Sequence, residues 1–103
     1  MKTPNTLKWT ASLDVRTTYS KDGAVLFDIK KGISYSLNLV AAKIWTIIES
    51  SPSGITSEGI VDTLEIHFQI PRRQLEEDTS DWLDKLQKLN LVANSTTHTA
   101  NSS

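Results

Sequence analysis

The groups in this sequence that could do acid–base or ligating chemistry are few. They are His67, His98, and a run of carboxylates at Glu76, Glu77, Asp78, Asp81 and Asp84. A helical metal pair needs a second histidine three or four positions away, and neither histidine has one. Paired catalytic carboxylates need a pocket and a raised pKa on one member. The acidic run instead reads as a solvated helix face, supported by the i,i+4 pairs Asp81–Lys85 and Asp84–Lys88. There is no cysteine, which excludes disulfides, thiolate metal sites and a thiol nucleophile, and fits a reducing compartment. The glycines, at 23, 32, 54 and 59, form no phosphate-cradling loop. These residues predict no catalysis, no cofactor and no metal, so function must lie in binding.

Size and charge narrow what can be bound. A chain of 103 residues makes one modest domain with little area to spare for a large cleft. Eleven Lys and Arg stand against twelve Asp and Glu, a formal net charge of −1, so no bulk field draws it to nucleic acid or anionic lipid. The start, MKTPNTLKWT, has no apolar export segment, and no run approaches the ~18 apolar residues of a membrane span. The expected setting is cytoplasmic, away from membranes.

The elements that position any binding group are legible in the periodicity. Asp22 to Asn38 holds two runs of strand formers around Lys30-Lys31-Gly32, where Gly32 can take the positive φ of a hairpin loop. Val25, Phe27 and Ile29, then Ile33, Tyr35 and Leu37, recur at period two and predict one buried face, with Asp28, Ser34 and Ser36 opposite. Leu13, Val15, Thr17 and Tyr19 add a preceding strand, so the first forty residues read as a three-stranded meander with an open edge. Asn38 then caps a helix with Ala41, Ile44, Trp45 and Ile48 on its buried side. Thr56 or Ser57 caps a second helix carrying Ile60, Val61, Leu64 and Phe68. Pro71 opens a third, with Leu75, Thr79, Trp82, Leu83, Leu86 and Leu89 as its apolar stripe and Asn90 as a left-handed stop before Leu91 and Val92. The predicted organisation is a loose segment over 1–10, a domain over 11–93 and a disordered polar tail over 94–103. The fold class is α+β, winged-helix-like, with an N-terminal three-stranded antiparallel sheet packed on three helices.

A winged-helix DNA-binding regulator is the alternative that such an element list raises. A recognition helix needs cations toward phosphates and Arg, Lys, Asn or Gln toward base edges. The third helix has Arg72, Arg73, Lys85 and Lys88 against its five carboxylates, and its middle turns are purely acidic. Beside a polyanion that face repels.

The succession DGAVLFDIKKGISYSLN, then AAKIW, a capped second helix, and DTSDWLDKLQKLNLV resembles the PqqD-like peptide-binding domains, or RiPP recognition elements. The resemblance spans about Asp14 to Val92. It rests chiefly on Tyr35-x-Leu37-Asn38, Ile44-Trp45, and Asp78 followed by Trp82-Leu83, Leu86 and Leu91-Val92. It implies a sheet of three strands on three helices, and a leader segment of a ribosomally made precursor that pairs with the third strand and lies along the third helix. Where the PqqD subgroup usually carries Pro-Glu-Gly, this chain has Lys30-Lys31-Gly32, which points away from pyrroloquinoline quinone assembly. Its short, free-standing format is similar to the leader-binding proteins of lasso-peptide pathways, in which a separate leader peptidase or maturation enzyme is the partner.

Physically, an outer strand at Ile33, Ser34, Tyr35, Ser36 and Leu37 can add an extended peptide through its main chain, a mode that gives affinity with little dependence on sequence. Selectivity then falls to the third helix. Leu75, Thr79 and Trp82 are expected to line a groove for apolar side chains, with Asp78 and Asp81 meeting a basic one. Part of that stripe must also hold helix to sheet.

Overall fold

A computed structural model describes residues 7–96, the side chain of Thr96 excepted. The elements run β1 (Leu7–Ala11), β2 (Val15–Ser20), β3 (Gly23–Asp28), β4 (Ile33–Leu37), α1 (Leu39–Glu49), α2 (Ser57–His67), α3 (Arg72–Lys88) and β5 (Val92–Thr96). The fold is α+β, as the periodicity predicts: β2, β3 and β4 form an antiparallel sheet in that order, against three helices.

Local chemistry sets the boundaries. Asn38 accepts from the Ala41 N–H at 2.8 Å and turns β4 directly into α1. Thr56 does the same for α2 through the Gly59 N–H at 3.1 Å. Pro71 precedes α3 without a side-chain cap. At the far end Asn90 has φ 62°, and the Leu91 and Asn90 N–H groups reach the Leu86 and Gln87 carbonyls, both at 2.9 Å. That is the paired bonding of a Schellman stop, and it drives Leu91 and Val92 into the core.

The core joins the inner face of the sheet to one side of each helix. Ile44, Trp45 and Ile48 of α1 meet Ile60 and Leu64 of α2 and Leu75, Leu83 and Leu86 of α3, all buried. Trp45 is sealed inside, and its indole N–H donates to Thr17 Oγ1 at 2.9 Å, so a large apolar body enters with its polar atom satisfied. Trp45→Ala costs about 3–5 kcal/mol on the usual scale for such truncations.

The structure inverts the expected faces of β3. Ala24, Leu26 and Asp28 are buried, while Val25 and Phe27 are 42% and 40% exposed. Both faces of GAVLFD offer apolar groups, so alternation alone cannot choose between them, and a one-residue slip swaps the whole set. The choice is made by neighbours. Leu37, just before the Asn38 cap, turns inward, and its partner is Ala24; Tyr35 then pairs with Leu26 and Ile33 with Asp28. Asp28 turns in to close the loop, accepting the Lys31 N–H on its side chain and the Gly32 N–H on its carbonyl. Ile29 belongs to that turn and is exposed, and Leu13, expected inside, is 98% exposed in the bend before β2.

The described parts of the two segments expected to be loose are strand instead. Leu7–Ala11 pairs antiparallel with Val92–Thr96, Trp9 opposite Asn94. Trp9 also exchanges both main-chain hydrogen bonds with Ile55, at 2.8 and 3.1 Å, and buries its side chain. So Leu7–Thr10 and Asn94–Thr96 are strand; the expected looseness of 1–6 and 97–103, with His98, falls outside the described residues.

Candidate peptide-binding edge and helix flank

Edges matter in a sheet because they leave main-chain groups unpaired. Among the described residues β4 pairs with β3 alone. Which of its groups point outward follows from the ladder. The Ile29 N–H donates to the Asp14 carbonyl at 2.9 Å, so Ile29, Phe27 and Val25 turn their main chain toward β2. Alternation then turns Ala24, Leu26 and Asp28 toward β4. Their partners Leu37, Tyr35 and Ile33 hold that side of β4, and Ser34 and Ser36 direct N–H and C=O away from the sheet. The side chains divide differently: Ile33 and Tyr35 lie on the inner face at the edge, exposed and half-buried, while Leu37 is sealed.

One flank of α3 ends at the turn that leads into this edge. Asp78, Trp82, Lys85 and Leu89 follow i, i+4, i+7 and i+11 and share a side of the helix. Lys31, in the turn before β4, donates to the Leu89 carbonyl at 3.2 Å, which sets the start of β4 beside the end of that flank. The ammonium there also suits the negative end of the helix dipole. Trp82 and Leu89 are partly buried against the core, as is Tyr35. Lys85 Nζ lies 4.5 Å from the centre of the Trp82 ring. The expected Asp81–Lys85 pair is thus replaced by a cation over an aromatic face, while Asp84–Lys88 forms at 3.3 Å. Asp78 accepts from Gln74 Nε2 at 3.0 Å and stays exposed enough to meet a ligand.

Of the residues expected to line a groove, Ile33, Ser34, Tyr35 and Ser36 stand along the β4 edge, and Asp78 and Trp82 share the flank of α3 whose end Lys31 ties to the turn before β4. Leu75 and Thr79 are not there. They join Leu83 and Leu86 in the stripe that fastens α3 to the core, and both are buried. Asp81 points to solvent on another side of the helix. Lys85 and Lys31 were missed; the i+3 spacing from Trp82 to Lys85 was the available signal for the first, and nothing local signals the second.

The electrostatics of α3 disfavour a polyanion. Arg72 binds Asp62 at 2.9 Å, Glu65 at 2.6 Å and Glu76 at 3.3 Å, so at the surface it bridges α2 and α3 with its charge already met by carboxylates. The hydrogen bonds to Asp62 and Glu65 push its pKa above an already high value. Elsewhere, Tyr19 sits between Thr46 and Glu49, with its hydroxyl donating to Glu49 Oε1 at 3.1 Å. Burial raises its pKa above 10.0, and the Glu49 carboxylate adds to this against an opposing bond from Thr46. Among the described residues no three His, Asp or Glu side chains converge to hold a metal, and no helix is long and apolar enough to cross a membrane.

The family model described as Coenzyme PQQ synthesis protein D (PqqD) matches residues 23–92. Among solved structures the chain is similar to TbiB1 in complex with the TbiA(beta) leader peptide, with 25% identity and a TM-score of 0.69, over 89% of this chain and 99% of that one. It also shares the fold of a lasso peptide synthetase B1 complexed with the leader peptide, with 17% identity and a TM-score of 0.68, over 84% of this chain and 98% of that one. No curated protein matches the sequence.

Proposed function

This chain belongs to the PqqD family, and from that premise we propose that it is a cytoplasmic, non-catalytic recognition protein for the leader segment of a ribosomally synthesised precursor peptide, of lasso-peptide type. The observation that carries the reading is the β4 edge, with Ser34 and Ser36 turned outward and the preceding turn tied through Lys31 to the end of the Asp78–Trp82 flank of α3. An extended leader adds to β4 as a fourth strand by β-augmentation. Its inward side chains pack on Ile33, Tyr35 and Trp82, and a basic one meets Asp78. The similar structure of TbiB1, solved with a leader peptide, supports this assignment.

Binding of this kind holds a flexible substrate in one register, and a separate leader peptidase or maturation enzyme acts on what is held. The protein itself needs no general acid, base or nucleophile for that role. A DNA-binding role as the alternative is opposed by α3, where Arg72 and Lys88 are paired with carboxylates and Lys85 covers Trp82.

Separate titrations of fluorescently labelled leader peptide of a lasso-type precursor and of labelled duplex DNA test the proposal. Saturable leader binding with no DNA binding at the same salt concentration is expected. Sequence-selective DNA binding without leader binding would overturn it.

A further inference from the structure

The other flank of α3 borders a cavity of about 580 Å3 that the leader-binding reading leaves unused. Cavities of roughly 300–1,000 Å3 are the size at which proteins enclose small groups. Glu76, Thr79, Leu83 and Gln87, at i, i+3, i+7 and i+11, form its α3 wall, so it opens away from Trp82 and β4. Trp9 of β1 and Val61 of α2, with Leu83, give it apolar surface. Carboxylates at Glu58, Glu76, Asp81 and Asp84 ring it, and among the described residues its one lining cation, Arg72, is bound to Asp62, Glu65 and Glu76.

Thr79 points to a ligand independently of that charge. It is 1% exposed, it lines the cavity, and its Oγ1 has no hydrogen-bond partner among the described residues. A buried hydroxyl left unpaired is destabilising, and valine, which has the same shape, would avoid the cost. The hydroxyl can donate or accept, so it can take an N–H that a ligand brings. Apolar walls, a carboxylate rim and a buried hydroxyl able to accept together match a cation on an aliphatic stem.

We propose that this cavity receives a lysine or arginine side chain from a basic segment of a protein partner distinct from the leader peptide. The stem lies along Trp9, Val61 and Leu83, the charge meets Glu58 and Asp84, and an N–H donates to Thr79. Only the identity of the partner as something other than the leader rests on the assignment of β4 to the leader. Both ligands can then be bound at once on opposite flanks of α3, which places a maturation enzyme's docking site clear of the strand that holds its substrate.

The test uses the full chain, with acetyl-Leu-Arg-Leu-amide as probe and its citrulline counterpart as the neutral control, followed by amide and indole NMR shifts. The arginine peptide is expected to shift the Trp9 indole and the Thr79 amide saturably, and citrulline to bind at least about tenfold more weakly. Thr79→Val is expected to raise the melting temperature yet weaken the probe at least about threefold, a combination that a purely structural threonine would not give. Glu58→Gln with Asp84→Asn should weaken it at least about tenfold while labelled leader binds within about twofold of the parent. Equal binding of the citrulline peptide, unchanged binding by the variants, or shifts confined to Asp78 and Trp82 would overturn the proposal. Failure of the leader to bind, with the arginine probe still at Trp9 and Thr79, would count against the β4 assignment alone.

Discussion

Proline placed at two adjacent positions of β4 should have opposite consequences. At Ser34 the N–H points away from β3, so Ser34→Pro removes no bond of the sheet, and edge strands carry proline. It does remove one donor to a guest strand and sets a ring at the docking edge. A net hydrogen bond contributes about 0.5–1.5 kcal/mol, and the ring adds a steric term. The expected loss is at least about 1.4 kcal/mol, or tenfold in leader affinity. Tyr35 is different, since its N–H faces Leu26 across the ladder and its side chain is half-buried. Tyr35→Pro leaves a buried carbonyl unpaired, at about 1–3 kcal/mol, and also loses the packing of the ring. For a domain of this size each kcal/mol moves the melting temperature by about 4–8 °C. Circular dichroism melts and anisotropy titrations with labelled leader separate the two effects. Ser34→Ala and Ser36→Ala, which keep the N–H, should bind within about twofold of the parent. A folded Ser34→Pro with parental affinity, or a Tyr35→Pro with parental stability, would refute the register.

Asp78→Lys should weaken a basic leader by up to about fivefold, the scale of one exposed charge contact, with the difference shrinking as salt is added in the same titration. Truncation after Ala93 removes the pairing of Asn94–Thr96 with Leu7–Trp9, so the melting temperature should fall by several degrees, as the loss of one or two net hydrogen bonds requires. At alkaline pH Tyr19 has a defined sign. Its raised pKa means the folded chain keeps a proton that the unfolded chain releases, so its contribution is intact below about pH 10 and stability falls as pH rises through the folded value. Tyr19→Phe should lessen that alkaline loss in denaturant titrations and remove the late phenolate absorbance.

What was legible in the sequence was local. Asn38, Thr56 and Asn90 mark helix ends with side-chain or backbone chemistry that operates within a few residues, and each works in the structure as that chemistry requires. The buried stripe of α1 was legible for the same reason, because only one face of AAKIWTII is consistently apolar. The β3 face was not, because Val25 and Phe27 compete with Ala24 and Leu26, and the contest is settled by the pairing with β4 and by Asp28 closing its turn. Strands β1 and β5 were missed because their pairing joins opposite ends of the chain and their residues are mostly polar; only the spacing of Leu7, Trp9 and Ala11 hints at it. The candidate site divides along the same line. Main-chain edge residues could be named from the hairpin, whereas placing Thr79 inside and Trp82 at the flank required knowing which part of the α3 stripe meets the core.

The most direct measurement on leader recognition is residue-resolved amide hydrogen exchange of β4 with and without saturating leader peptide. In the free protein Tyr35 should be protected by its bond to β3 while Ser34 and Ser36 exchange rapidly; on binding, Ser34 and Ser36 should become protected and Tyr35 should change little. Leader binding that leaves Ser34 and Ser36 exchanging as in the free protein would contradict addition of the peptide at this edge.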